Sequence, residues 1–359
     1  MKFKCKQIAS FFALAIALTL LLGALGVPLP VISASAASAK DVRLIPGGMP
    51  FGVKFSTDGV LVVGFCDVDA EGGSINPAYA AGLRTRDVIT TLGGKPIADA
   101  AQFGSMIAEA GATPLTLTYT RAGKSYTTTL TPAKSVSENR YKTGLWVRDS
   151  GAGIGTVTFI EPTTGAFGGL GHGICDQESG ALVSMTRGVV NDVTISGVQK
   201  GVSGKPGELK GYFGTTKTGT LLQNTDCGVF GVFSQKPITK QSALPIAHRG
   251  EVKEGEAHIL CTLDGSGICQ YAIRISDVDK TATGSKCFTV KVTDPALIEK
   301  TGGIVQGMSG SPIIQNGKLV GAVTHVLIND PTTGYGIFIE NMLGAAQTPM
   351  QKAAQPQKS

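Results

Sequence analysis

Gly307-Met308-Ser309-Gly310-Ser311-Pro312 leads into an apolar strand candidate, Lys318-Leu319-Val320-Gly321-Ala322-Val323-Thr324, near the end of a 359-residue chain. A serine set between glycines, with proline three residues on, suits a tight loop that exposes a hydroxyl while its backbone N–H groups turn inward. Amides of Gly307 and Ser309 aimed at one point would form an oxyanion hole, each donor worth about 3–4 kcal/mol to a tetrahedral intermediate. Glycine–serine turns also occur as plain turns in β proteins, so Ser309 gains meaning only with a base.

The spacing G-x-S-G-x-P resembles the nucleophile loop of chymotrypsin-like serine peptidases, which implies that Thr324, His325 and Val326 line the substrate cleft. Composition agrees with a β-rich chain: 49 glycines, about twice the average share, and 6% aromatic residues favour short strands and turns. Runs such as 156–160, 257–262, 271–278, 287–292, 319–328 and 335–339, broken by Gly, Asp, Asn and Pro, predict an all-β barrel or a pair of barrels.

Only four histidines are available as the base. His172, in Gly169-Leu170-Gly171-His172-Gly173-Ile174, sits in an open glycine-flanked loop 137 residues before Ser309, a separation suited to one barrel supplying each group. His248 and His258 read as surface or structural residues, and His325 as a cleft wall or a core histidine. A third group should orient the imidazole. Asp226 and Asp294 both lie between His172 and Ser309, and spacing alone favours Asp226, 54 residues after His172.

Ahead of these motifs, Lys2, Lys4 and Lys6 precede an uncharged stretch from Ile8 to Val27 and the small-residue pairs around Ala34-Ser35-Ala36, the pattern of a secretory signal. Residues 1–39 are therefore expected to be a signal peptide or signal anchor that engages the membrane, with the bulk exported. Setting them aside leaves 29 basic and 26 acidic side chains, a balance of +3 with no basic stripe, which excludes nucleic-acid binding. The six later cysteines show no zinc-site spacing. Cys261 and Cys269 flank a turn nearly symmetrically, and isolated thiols are the preferred reading. No cofactor or metal is expected. Gly302-Gly303, at the expected base of the specificity pocket, lack a carboxylate that would select lysine or arginine.

Residues 41–133 carry two helix patterns. One runs from a capping Asn76 with Pro77 to Gly82, the other from Asp99 through Phe103, Met106 and Ile107 to Gly111, with strands around them. Ala81-Gly82-Leu83, Arg86-Asp87-Val88-Ile89 and Gly93-Gly94-Lys95 make this part resemble a PDZ domain of exported bacterial peptidases. That resemblance makes Met49-Pro50-Phe51-Gly52-Val53 the carboxylate-binding loop, with amides of Phe51, Gly52 and Val53 receiving a chain end, the protein's own among the candidates. The polar segment 134–144 reads as a linker, 145–345 as the peptidase domain and 346–359 as a disordered tail.

Trp146-Val147-Arg148-Asp149-Ser150-Gly151-Ala152-Gly153, the His172 and Ser309 loops, Gly321-Ala322-Val323-Thr324-His325-Val326-Leu327 and Gly334-Tyr335-Gly336-Ile337-Phe338-Ile339-Glu340 resemble the stage IV sporulation protein B peptidases of endospore-forming bacteria. The resemblance implies a mainly β fold: membrane segment, small α+β PDZ domain, then a chymotrypsin-like double β-barrel. It also implies a triad of His172, Asp294 and Ser309, and on that ground Asp294 is taken over Asp226. The implied activity is cleavage, between the two membranes of a developing spore, of the protein's own N-terminal region and of a regulator of a membrane-embedded protease that releases a sigma factor. The rival reading is a PDZ adaptor whose peptidase-like domain is inactive.

Overall fold

The computed structural model describes residues 42–175, 180, 182, 183, 185, 187–235 and 239–354, with the backbone alone at 58, 187 and 347–354. The signal segment expected over 1–39 lies outside the described residues. Among those described, no helix is long and apolar enough to cross a membrane.

Strands β1 (Arg43–Pro46) and β2 (Pro50–Phe65) open the chain, and the second has sixteen residues. A small α+β unit grows from the far half of β2. It comprises the hairpin β3 (Val68–Ala70) and β4 (Gly73–Ile75), helix α1 (Pro77–Ala80), β5 (Val88–Leu92), β6 (Lys95–Pro96), helix α2 (Ala100–Ala110), β7 (Leu115–Arg121) and β8 (Lys124–Leu130). Local chemistry explains both helices. Asn76 accepts from the Tyr79 N–H ahead of Pro77, and Asp99 accepts from Gln102 N–H while Gly111 ends α2 at φ +60°. Val60, Leu83, Ile89, Leu92, Phe103, Ile107 and Leu117 form its core. Asp87, wholly buried, takes a two-pronged ion pair from Arg121 and ties β5 to β7.

The segment read as a linker is folded. Its ladder β9 (Ala133–Lys134) and β10 (Tyr141–Lys142) is anchored by Asp69, which accepts from Ser135 Oγ at 2.5 Å and from Ser137 N–H at 2.8 Å. These bonds pull the Asp69 carboxyl down to about 2.

The first barrel uses β11 (Leu145–Ile160), β12 (Ala166–Gly169), β13 (Arg187–Gln199), β14 (Glu208–Thr225) and β15 (Gly228–Phe233), with β16 (Leu244–Pro245) pairing β1 at the edge. These strands run in the order β11, β12, β15, β14, β13, and β2 then pairs with both β13 and β11 to close the ring. Phe51, Gly52 and Val53 lie in no open carboxylate-binding loop but in the first rungs of the ladder at the start of β2, where Gly52 faces Ile154 on one side and Asn191 on the other. Their backbone is spent on the peptidase barrel, and Phe51 and Val53 are core residues. Residues 42–55 accordingly belong with the peptidase rather than with the α+β unit.

The second barrel is closed by β17 (Gly255–Cys261), β18 (Cys269–Ser276), β19 (Phe288–Val292), β20 (Pro312–Gln315), β21 (Lys318–Leu327) and β22 (Asp330–Phe338), in the order β17, β18, β19, β22, β21, β20. Cys261 stands directly across from Cys269 in this ladder, and all six described cysteines are free thiols. Helix α3 (Pro295–Thr301) precedes the Ser309 loop, and α4 (Ile339–Ala354) closes the chain, so a helix occupies the start of the expected disordered tail.

Candidate active site

The Ser309 loop is pinned from two sides. The Ser309 carbonyl accepts from Thr156 N–H at 3.0 Å, and the Gly307 carbonyl accepts from Thr156 Oγ1 at 2.8 Å. Gly310, at φ +95°, donates its N–H to the Val323 carbonyl at 2.7 Å, and a Cβ there would lie 2.0 Å from the Thr156 carbonyl oxygen. Only glycine fits such an approach of loop to strand. With the Gly307 and Ser309 carbonyls turned to β11, their N–H groups donate to nothing among the described residues. Two free amides two residues apart are the donors that an oxyanion hole requires.

His172 follows β12 through a turn in which Leu170 and Gly171 both adopt positive φ, 64° and 69°. Its Nδ1 lies 2.8 Å from the Gly173 carbonyl. A carbonyl only accepts, so Nδ1 carries the proton and Nε2 is the bare, basic nitrogen. Burial holds His172 below the usual histidine pKa, with the Gly173 bond opposing. Asn224 stitches this loop in place: its Oδ1 accepts from Ile174 N–H at 2.8 Å, and its Nδ2 donates to the carbonyls of Ile174 and Val183. Sequence reasoning passed over Asn224, although it is two residues from a candidate acid.

His172 and Ser309 line one cleft of about 630 Å³ together with Gln306 and Gly307. At rest Ser309 Oγ donates to the Thr324 carbonyl at 2.8 Å. Thr324 and His325 stand behind Ser309 and His172, and neither lines the cleft: Thr324 is buried and its carbonyl accepts from Ser309 Oγ, and the His325 ring lies 4.9 Å from that of His172. Burial first, then His172 and Lys286, push His325 down to about 4, and its Nδ1 has no hydrogen-bond partner among the described residues. Val326 is half-buried, paired with Gly334, and also outside the cleft lining.

Neither candidate aspartate hydrogen-bonds His172 among the described residues, where Nδ1 faces the Gly173 carbonyl instead. Asp294 caps α3, its carboxylate accepting from the N–H groups of Ala296, Leu297 and Ala272, so the Asp294-Pro295 pair is a helix start here and not the partner of His172 expected of it. Asp226 sits on the turn between β14 and β15, the strand that pairs with β12 ahead of His172. That turn abuts the histidine loop, since a Cβ on Gly173 would lie 2.8 Å from the Thr225 carbonyl. Gly302-Gly303, expected near a specificity pocket, pack instead against the backbone of Gly201 and Pro331. His248 bonds Glu340 and is structural. Among the described residues no group of three His, Cys, Asp or Glu could hold a metal ion.

Two closed six-stranded barrels, one presenting a histidine and the other a serine with free amides beside it, define a serine peptidase of the chymotrypsin-like kind. The family described as SpoIVB peptidase S55 matches residues 139–343, and the chain belongs to it. Among solved structures, the Rv3671c protease of M. tuberculosis in its active form is 16% identical, aligned over 58% of this chain and 77% of its own with a TM-score of 0.32. The PDZ domain of an SdrC-like protein from Listeria monocytogenes is 18% identical over 26% of this chain and 90% of its own, TM-score 0.22. Human heparin binding protein is 12% identical over 54% and 78%, TM-score 0.28. Among curated proteins none matches the chain.

Proposed function

We propose that the protein is an exported serine endopeptidase that cleaves itself and a membrane-associated regulatory protein during endospore formation, upstream of sigma-factor activation. Its place would be the space between forespore and mother-cell membranes, reached through the N-terminal segment. One observation carries the peptidase chemistry: Ser309, the bare Nε2 face of a His172 fixed by Gly173, and the free Gly307 and Ser309 amides belong to one cleft. The Ser309 hydroxyl would turn from Thr324 to His172, pass its proton to Nε2 and attack the peptide carbonyl. The amides would take up the oxyanion, and the imidazolium would protonate the leaving amine. The α+β unit controls substrate engagement, because the same cleft reaches Thr57 and Leu61 at its border.

The resting bond of Ser309 to Thr324 instead suits the rival reading, an adaptor with an inactive peptidase-like domain. A fluorophosphonate probe separates the two. Label on folded wild type that disappears in Ser309→Ala, with self-cleavage disappearing alongside, supports the peptidase. Absence of label from folded wild type leaves the adaptor.

A further inference from the structure

The catalytic cleft does not end at His172 and Ser309. It continues along β11 past Gly155, Gly153 and Gly151, walled by Val53 and Phe55 of β2, and ends beside Leu61 at Arg148. Arg148 and Leu61 are register partners where β2 passes into the α+β unit. Of these glycines, Gly153 has open space where a side chain would stand, whereas at Gly151 and Gly155 that space is taken by Phe55 and Leu170, so between them the strand adds only Ser150, Ala152 and Ile154 to the lining.

Arg148 is the only residue with a fixed charge among the described residues of this cleft. It is exposed, and its side chain has neither an ion pair nor a hydrogen bond among them. Its neighbour Asp149 makes no ion pair with it among the described residues: that carboxylate accepts instead from the Ala100 N–H at the start of α2 at 2.7 Å. Thr156, eight residues along the same strand, grips the Ser309 loop. At about 3.3 Å per residue the separation is roughly 25 Å, the span of seven or eight extended residues.

We propose that Arg148 is a specificity residue: it selects protein substrates carrying an aspartate or glutamate about six to nine residues from the scissile bond, on the side that lies along β11. This rests on the peptidase reading above. The cleft matches such an occupant in both parts, apolar walls for an extended chain and one unpaired cation at the end. An exposed charge pair of this kind gives a modest gain, up to about fivefold, and weakens as salt rises.

The test uses the full chain and a random-sequence peptide library, with cut sites read by mass spectrometry. Wild type should enrich Asp and Glu about three- to fivefold within that window. Arg148→Gln should erase the enrichment, and Arg148→Glu should replace it with Lys and Arg. About 1 M salt should flatten the wild-type profile. A flat wild-type profile at low salt, or one that persists in Arg148→Gln, overturns the subsite. Fluorophosphonate label on Ser309 distinguishes the failures: label with no acidic preference, or with no cutting of extended peptides, removes this subsite alone, whereas absence of both label and cutting removes the peptidase reading and the subsite with it.

Discussion

Replacing Asp294 tests the division of labour between the two aspartates. Asp294→Ala deletes three hydrogen bonds: from Ala296 N–H at 2.9 Å, Leu297 N–H at 3.4 Å and Ala272 N–H at 3.1 Å. Loss of a helix cap costs about 1 kcal/mol, and the unpaired Ala272 amide adds about 1 kcal/mol more. A total of about 2 kcal/mol at 2–4 °C per kcal/mol, as expected for a unit of this size, gives a Tm drop of roughly 4–8 °C. Asp294→Asn keeps the cap oxygen and should lose about half as much. Because neither change touches His172, kcat/KM on a fluorescent protein substrate, measured well below Tm, should stay within about threefold of wild type. Asp226→Asn should leave Tm nearly unchanged, since the side chain is exposed, and a fall of tenfold or more in kcat/KM would make it the orienting carboxylate. A loss near 10⁴ in Asp294→Asn at unchanged Tm, the signature of a lost orienting carboxylate, would refute this assignment.

Burial keeps His172 neutral below its ordinary pKa of 6.5, so the acid limb of kcat/KM should have its midpoint below 6.5; a midpoint above that value contradicts the burial argument. His325, at about 4 when folded and 6.5 when unfolded, adds stability that is complete above pH 6.5 and is lost as pH falls toward 4; His325→Phe should flatten that part of the urea-midpoint profile. Gly310→Ala places a methyl 2.0 Å from the Thr156 oxygen at φ +95°, and should cost about 3 kcal/mol in denaturant unfolding and abolish fluorophosphonate labelling. Arg121→Ala strands the buried Asp87 carboxylate. Destabilisation by about 3 kcal/mol is expected, read as faster hydrogen exchange confined to β5, β7 and α2; no change there would show that Asp87 is satisfied without its partner.

That His172 and Ser309 stand in loops was legible because the signal is local: glycines beside His172 and around Ser309 announce backbone that needs close approach or positive φ. Helices capped by Asn76 and Asp99 were legible for the same reason. Asp294 misled because a family pattern outweighed a local one, Asp before Pro at a helix start, which the structure shows to be its use. Phe51-Gly52-Val53 misled differently. Alternation along a strand marks its buried face but not which strands pair with its edges, and β2 takes partners about 100 and 140 residues away. Polar residues at 134–142 resembled a linker because a surface ladder held by Asp69 needs no apolar face.

The sixteen residues of β2 close the first barrel at one end and pair with β5 of the α+β unit at the other. A fragment cut to the family match, 139–343, would discard this strand and leave long edges of β11 and β13 with bare amides and carbonyls, surfaces that recruit other chains. The span by which the family is recognised thus omits one strand of its own barrel. An expression boundary placed at residue 139 should give aggregates, and one placed before β1 a soluble protein.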